Sequence, residues 1–370
     1  MTPRMTRLLL SVMAPVLALV AAFLITSLVL IVAKDPVGQV WSTILSVPEP
    51  RNLANIVNNA TVLYLSGLAV AVGFRMGLFN IGVDGQYRIA AFSAAAVAGQ
   101  AWLPGALNTV LAVVVAVMVG AAWAGIAGAL RATRGVSEVI STIMLNFIST
   151  ALVAYLLRRV AVREEGSNIV ATREIPEGSR IPGIPISDVP GVEVYGFLVV
   201  AVLAGFGYSF LLNRTRFGFD LRATGLSNTA AVASGINVKR MIITAMLVSG
   251  GLAGLVGLPI LLGDAYSYGS TFQSGLGFAG IAIALLGRNH PVGIALGALL
   301  FAFLDEQSNP LQILADVSPD IVAITQGVIV LTVVISYEVV RRYRLRLEQR
   351  HVAEALDDAK RPTDNEEVPA

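Results

Sequence analysis

Residues 53–103 read LANIVNNATVLYLSGLAVAVGFRMGLFNIGVDGQYRIAAFSAAAVAGQAWL. Two apolar runs, Leu53–Phe74 and Ile89–Leu103, flank a compact segment, Arg75–Arg88, that sets Asn80, Asp84 and Gln86 among Gly77, Gly82 and Gly85. The first run is long enough to cross a bilayer, which takes roughly 20 apolar residues; the second is short for a straight crossing. A hydrocarbon core offers no water to unpaired backbone groups. A break at membrane depth therefore survives only where protein buries it or a wet cavity bathes it. The stretch predicts an all-α polytopic membrane protein with interrupted helices. An ordinary cytoplasmic turn with Asp84 as a helix N-cap fits the same residues.

The rest of the 370-residue chain extends the pattern. Hydrophobic residues make up 55% and charged residues 14%, with a mean hydropathy of +0.74. A soluble domain carries about a quarter charged residues, so this surface is not built mainly for water. Further apolar runs are Leu8–Ala33, Ala106–Leu130, Ser137–Leu157, Val194–Leu212, Met241–Gly263, Leu276–Gly287, Pro291–Leu304 and Ile321–Val340. With the two quoted runs they predict about ten spans. Leu8–Ala33 exceeds the core of a signal peptide, about 7–15 residues, and is expected to stay as the first helix.

Charge placement tests this count. With the N-terminus inside, 19 of the 26 Lys and Arg residues fall in inner segments and seven in outer ones. Cytoplasmic segments are the basic ones, so ten spans with cytoplasmic N- and C-termini are expected. A long polar segment, 158–193, then lies outside the cell, and a second, 213–240, lies inside. The resulting organisation is a membrane domain over 1–340 and a charged tail, 341–370, expected to be disordered. Arg341, Arg342, Arg344 and Arg346 would meet anionic lipid at the start of that tail.

Absences narrow the chemistry. Without cysteine there is no disulfide framework or thiolate metal site. The two histidines, His290 and His351, are far apart, so no metal site and no catalytic residue is expected. No basic groove with interleaved aromatics favours nucleic acid. No Gly-x-x-x-x-Gly-Lys-Ser/Thr loop occurs, so any ATP-driven work would draw its energy from a partner.

Three patterns beside the first break carry the expected mechanism, and a fourth carries packing alone. Gly269–Gly277 repeats the texture of the first break, with Phe272, Gln273 and Ser274 before another short apolar run; paired breaks in two halves point to a repeat-built transporter with a substrate path between them. Phe79, Asn80, Asp84, Gln86, Phe272, Gln273 and Ser274 are the candidate lining, the two phenylalanines as stacking surfaces or as plain packing. Glu138 and Asn146, eight residues apart, share a helix face. Asn146 is the better path candidate, with interhelical hydrogen bonding as the alternative; Glu138 fits an interfacial cap equally well. Gly250-x-x-x-Gly254 and Gly293-x-x-x-Gly297 permit close helix packing. Finally, Ser227–Ser234 reads as a short helix of small residues between Gly225 and Gly235, a docking element that lacks a partner within the chain.

Phe79–Gln86, Ser137–Asn146 and Leu221–Gly225 through Gly235-Ile236 together resemble the permease subunits of bacterial ABC importers. The similarity runs from about Leu53 to Leu304 and is nearest to the nucleoside branch, whose relatives carry ribose and other simple sugars. Asp84 stands where that branch often has glutamate. The resemblance implies a fold of two pseudo-symmetric halves in the bacterial inner membrane, a second and different permease subunit, and a cytoplasmic ATPase that uses ATP and Mg. It also implies an extracytoplasmic substrate-binding protein, often lipid-anchored, facing 158–193. Gly218, Arg222, Gly225, Asn228, Ala231 and Gly235 would belong to the segment that couples to the ATPase. The chain would hold no cofactor and would form half of a path for nucleosides. A ribose-like sugar is the alternative substrate, and a secondary transporter or channel working without ATP is the alternative class.

Overall fold

The computed structural model describes residues 3–162 and 170–360. In chain order its helices are α1 (Pro3–Ala33), α2 (Val37–Ile44), α3 (Pro50–Arg75), α4 (Val83–Ala98), α5 (Ala106–Arg134), α6 (Glu138–Val160), α7 (Leu198–Arg214), α8 (Arg216–Leu226) and α9 (Asn228–Ala233). There follow α10 (Val238–Leu255), the single turn α11 (Leu258–Ile260) with a π-turn at Leu261–Ala265, α12 (Leu276–Leu286), α13 (Pro291–Ser308), α14 (Leu311–Leu314) and α15 (Asp320–Lys360). Strands β1 (Ile184–Pro185) and β2 (Glu193–Val194) form a small antiparallel hairpin between α6 and α7.

The chain divides into two units, Gly38–Pro319 and a pair formed by Met1–Val37 with Asp320–Ala370. The larger unit is built around α3. From Gly67 to Phe74 this helix is apolar on every side, which is the pattern of a helix buried all round, and 83% of its most apolar window is buried. Helices α7, α10, α12 and α13 pack on it, while α4 sits among α5, α6, α10 and α12. By contrast, only 28% of the corresponding windows of α5 and α6 is buried. Val110, Val114 and Met118 of α5 and Ile140, Met144 and Phe147 of α6 stand exposed, an apolar surface suited to lipid.

Small residues set the closest helix pair, α5 against α10. A Cβ on Gly250 would strike the Gly120 carbonyl oxygen, and one on Gly254 the Ala116 carbonyl oxygen. The expected close contact at Gly250-x-x-x-Gly254 is thus present. Gly297 brings α13 near α12, where a Cβ would lie 3.2 Å from Leu286 Cδ2.

Among the described residues, five helices are long and apolar enough to cross a membrane: α3, α5, α6, Val238–Ala265 and Asp320–Val340. Helices α7 and α8 make a sixth if taken together, bent by 71° at Thr215. Leu276–Leu286 and Leu19–Ala33 are shorter apolar helices.

Two differences from expectation have local causes. Helix α4 starts at Val83, so the first break is confined to 76–82; Asp84, Gln86 and Arg88 lie inside the helix because each finds a buried partner (below). In the smaller unit, α1 packs along α15, and α15 continues as helix to Lys360, twenty residues beyond the expected start of the disordered tail. Residues 341–360 contain neither glycine nor proline and are rich in Arg, Leu, Glu and Ala, all good helix formers. Residues 361–370, the rest of that tail, lie outside the described residues, as does 163–169 of the expected outer loop.

Candidate functional site

The two breaks meet. The loop 76–82 and the N-terminus of α12 are joined by a buried polar cluster whose members come from α3, α4, α6, α10 and α12. Asn80 is fully buried and uses every hydrogen-bonding position of its carboxamide. Its Nδ2 donates to Gln86 Oε1 at 3.0 Å and to Ser249 Oγ at 2.8 Å. Its Oδ1 accepts from Gly82 N at 3.1 Å and from Gln86 Nε2 at 2.9 Å. Asn80 and Gln86 thus close a reciprocal amide pair, and Ser249 ties it to α3 by donating to the Ala69 carbonyl at 2.7 Å.

Asp84 does cap a helix, but not its own. Its Oδ1 accepts from Gly275 N at 2.9 Å and lies 3.4 Å from Gly277 N, so it seals the N-terminus of α12. Gly275 begins that helix at φ +87°, a conformation that suits glycine because an L side chain would clash there. A carboxylate at a helix N-terminus also meets the positive end of the helix dipole. The other oxygen, Oδ2, lies 3.1 Å from Arg88 Nε, one turn along α4. That nitrogen is not aligned for a hydrogen bond, so the pair is an ion contact rather than a forked salt bridge. Arg88 therefore belongs to the helix interior and not to the inner-loop charge with which the sequence groups it.

Asn146 serves the same junction. Its Nδ2 donates to the Ile81 carbonyl and its Oδ1 accepts from Gly85 N, each at 2.9 Å. Unwound backbone next to α6 is satisfied in this way, as buried backbone must be. Glu138 opens α6, buried and 3.2 Å from Arg131 Nε of α5.

Beside the junction lies a cleft of about 800 Å³, within the size range of small-molecule sites. Arg88, Thr150, Arg158, Tyr268, Ser270 and Phe272 are among its lining. The Tyr268 and Phe272 rings stack with centroids 4.6 Å apart and planes inclined by 24°, and Phe92 meets Tyr268 edge-on at 5.7 Å. Tyr87 Oη holds the loop by donating to the Gln273 carbonyl at 2.8 Å. Of the residues expected to line a path, Phe272 borders this cleft. Asn80, Asp84, Gln86 and Asn146 are taken up by the junction. Gln273 and Ser274 are exposed on the loop, and Phe79 is exposed and packs on Phe74 with ring centroids 5.0 Å apart.

The docking-like segment is built from three capped pieces. Thr215, Ser227 and Asn237 are N-caps: Gly218 N donates to Thr215 Oγ1 at 3.2 Å, Ala230 N to Ser227 Oγ at 3.3 Å, and Arg240 N to Asn237 Oδ1 at 3.0 Å. Gly218 is needed where α8 folds back on α7, since a Cβ would strike the Leu211 and Leu212 carbonyls. Arg222 Nη1 donates to the Leu212 carbonyl and braces the same corner. Helix α9 matches the expected short helix, with Ala231 buried beneath it, Asn228 exposed at its start and Gly235 at φ +81° just beyond its end.

Helix α8 also reaches the first break. A Cβ on Gly225 would meet the Arg75 carbonyl oxygen at 2.5 Å and Met76 Cα at 3.0 Å, so the close of α8 rests directly on the start of the 76–82 loop. At the same end of the unit, Arg75 Nη2 and Tyr208 Oη both donate to the Asn289 carbonyl, at 2.9 and 2.8 Å. The turn between α12 and α13 is thereby fixed beside the docking segment.

Arg88, Thr150, Tyr268 and Ser270 were not anticipated as lining. The four-residue spacing of Asp84 and Arg88, and the aromatic density of Ala265–Phe272, are the sequence signals that bear on them.

A helical bundle with long apolar helices, interrupted segments joined at a buried polar junction, and an exposed short helix between α8 and α10 defines the class of multi-spanning membrane permeases. Residues 52–335 match the family described as the branched-chain amino acid transport system permease component. The chain belongs to this permease family. It is 33% identical to the guanosine ABC transporter permease of Bacillus subtilis, over 92% of this chain and 96% of the relative. It is 31% identical to the glucose ABC transporter permease of Haloferax volcanii (90% and 89%) and 30% identical to a nucleoside ABC transporter permease of Lactococcus lactis (88% and 91%). Among solved structures, an inward-facing metal-chelate type ABC transporter aligns with a TM-score of 0.42 at 17% identity, over 85% of this chain and 96% of that one.

Proposed function

We propose that this chain is the membrane permease of an ATP-driven nucleoside importer and forms half of its translocation path. The observation that carries the proposal is the seating of α8–α9. The segment exposes Leu226 (89%) and Val232 (62%) while its Gly225 presses on the loop that leads to the polar junction. Apolar side chains on a short, charged-flanked segment call for a protein partner, and a cytoplasmic ATPase docking there would act on the junction through one backbone contact. The guanosine and nucleoside permeases at 30–33% identity support the substrate class.

In this proposal the ten spans, with both termini cytoplasmic and two pseudo-symmetric halves, are α1, α3, α4, α5, α6, α7, α10 with its extension to Ala265, α12, α13 and α15. Helix α4 misses a simple hydropathy count because it is 16 residues long and carries Asp84, Gln86 and Arg88, whose partners lie within the bundle. The permease domain is 1–340, followed by a cytoplasmic tail. The segment 158–193 faces an extracytoplasmic binding protein, and 213–240 couples to the ATPase. ATP and Mg act in the ATPase subunit, this chain itself catalysing nothing and holding no cofactor or metal. A second permease completes the path in the bacterial inner membrane.

The test is uptake of labelled nucleosides by proteoliposomes containing the assembled importer. Transport should require ATP and should vanish when the ATPase is left out. Full-rate flux of nucleosides through the permease chain alone would defeat the proposal in favour of a channel or secondary transporter. A sugar substrate has one specific observation in its favour, the glucose permease relative at 31% identity; ATP-dependent uptake of glucose or ribose with none of nucleosides would establish it.

A further inference from the structure

The geometry points to the cleft between α4, α6 and the 268–272 loop as a site for an oxopurine nucleoside, a base with adjacent carbonyl and ring-nitrogen acceptors such as guanine or hypoxanthine. This rests on the permease proposal and names the ligand that its path would prefer. Three features carry it.

The first is a planar shelf. Phe272 is half-buried on the cleft wall and backed by the nearly parallel Tyr268, which is itself held edge-on by Phe92. A ring fixed from behind offers its outer face to a flat ligand, and a stacked base gains from any such face. An aliphatic or acyclic solute would make little use of it.

The second is donor chemistry. Arg88, Arg158 and Ser270 bring two guanidinium groups and a hydroxyl to one cavity; Thr150 lines it too, but its hydroxyl donates to the Asn146 carbonyl at 3.0 Å. A guanidinium fork matches paired acceptors, and the O6/N7 edge of guanine is the base edge that presents two acceptors side by side; adenine offers one acceptor and one donor there.

The third is charge. Asp84 Oδ2 lies 3.1 Å from Arg88 Nε and offsets that positive charge. Its Oδ1 is already committed to the α12 N-terminus. Arg88, with its Nη1 3.4 Å from Thr150 Oγ1, is thus a neutralised donor, and Arg158 is the positive charge left in the cleft to meet the acceptor edge of a base.

The experiment keeps the rest of the importer constant. Proteoliposomes carry the assembled complex and its binding protein, with this chain as wild type, Phe272→Leu, Phe272→Tyr or Arg158→Gln. Labelled guanosine, inosine, adenosine and ribose are the transported probes, GMP is a competitor, and ATPase copurification reports assembly. Guanosine and inosine should outpace adenosine in the wild type. Phe272→Leu should lower nucleoside uptake about tenfold, the scale of one lost base stack, while Phe272→Tyr restores most of it. Arg158→Gln should narrow the guanosine-to-adenosine preference about fivefold or more.

Nucleoside uptake without an oxopurine preference, competition by GMP equal to that by guanosine, or wild-type behaviour of the cleft variants would overturn this inference and leave the permease proposal standing. If Phe272→Leu does not assemble, Phe272→Tyr decides: a loss as deep as complete inactivity in an assembled complex overturns the stacking role. A wild-type complex that carries no nucleoside overturns both.

Discussion

Asp84 joins α4 to the N-terminus of α12, and its removal makes the sharpest test of the junction. It is 5% exposed, accepts from Gly275 N at 2.9 Å, lies 3.4 Å from Gly277 N and stands 3.1 Å from Arg88 Nε. Asp84→Ala leaves buried amide donors without an acceptor, at about 1–3 kcal/mol each, and strands a guanidinium, for which one-sided loss of a buried pair costs about 3–5 kcal/mol. These effects overlap. The Arg88 side chain also keeps 20% of its surface exposed, so the charge term belongs at the lower end. We expect a loss of about 4 kcal/mol, and roughly half of it for Asp84→Asn, which keeps an acceptor for Gly275 but not the charge.

The assay is unfolding in mixed micelles with increasing denaturing detergent, followed by the fluorescence of Trp41, Trp102 and Trp123. A double-mutant cycle with Arg88→Ala isolates the pair, for which a coupling of about 1–3 kcal/mol is expected. Since Asp84 would no longer hold α12, transport should fall in the same variants. An Asp84→Ala protein within about 1 kcal/mol of wild type would refute the argument, because no relaxed arrangement consistent with this junction satisfies so many buried groups at once. Strict additivity with Arg88→Ala would refute the ion contact alone.

Other substitutions probe other parts of the bundle. Asn80→Asp replaces a donor of two hydrogen bonds with a carboxylate facing Gln86 Oε1 and Ser249 Oγ, and should cost about 3 kcal/mol or more in the same unfolding assay. Gly250→Val should separate α5 from α10 and lower the yield of folded protein, because the obstacle is the Gly120 backbone and not a yielding side chain; recovery of normally folded protein would contradict the packing. Leu226→Asp with Val232→Asp should abolish ATPase copurification while leaving the unfolding midpoint within about 0.5 kcal/mol of wild type, as for exposed positions generally. Gly225→Val should keep the ATPase bound but uncouple it: ATP hydrolysis would persist while uptake falls, and normal uptake would show that the contact with Arg75 and Met76 has no role in coupling.

Much of this architecture is legible in sequence where the signal is local. The small-residue spacing of Gly250 and Gly254, the glycines bracketing α9 and the apolar run of α5 are local signals, and each is found as expected. Asp84 shows where legibility ends. A capping carboxylate is recognisable from its neighbours, but the helix it caps begins 191 residues later, and nothing in the local run names that partner. The start of α4 is obscured for the same reason: Asp84, Gln86 and Arg88 look like loop residues until their distant partners are known. The cleft is assembled from α4, α6 and the 268–272 loop, so only Phe272, marked by the second glycine-rich break, could be picked out. In α8 the glycines at 218 and 225 suggest a loop, yet they are there because neighbouring backbones come too close for a Cβ.

The same two glycines give the bundle its mechanical continuity. Gly218 lets α8 fold back against α7, and Gly225 lets the far end of α8 lie on the backbone of Arg75 and Met76. Four residues later Asn80 is locked to Gln86 and Ser249, and after four more Asp84 holds the N-terminus of α12 and the flank of Arg88. The links are backbone-to-backbone contacts, buried hydrogen bonds and the Asp84–Arg88 ion contact, and such links shift as units because packed interiors do not deform continuously. A displacement at the docking segment therefore has no soft side chain in which to dissipate before it reaches the loop. The wall of the cleft begins at Arg88, one helix turn further on. Contiguity alone does not establish coupling; what it contributes here is direction, placing the docking helix, the two breaks and the cleft along one stiff line of the α3–α4 corner.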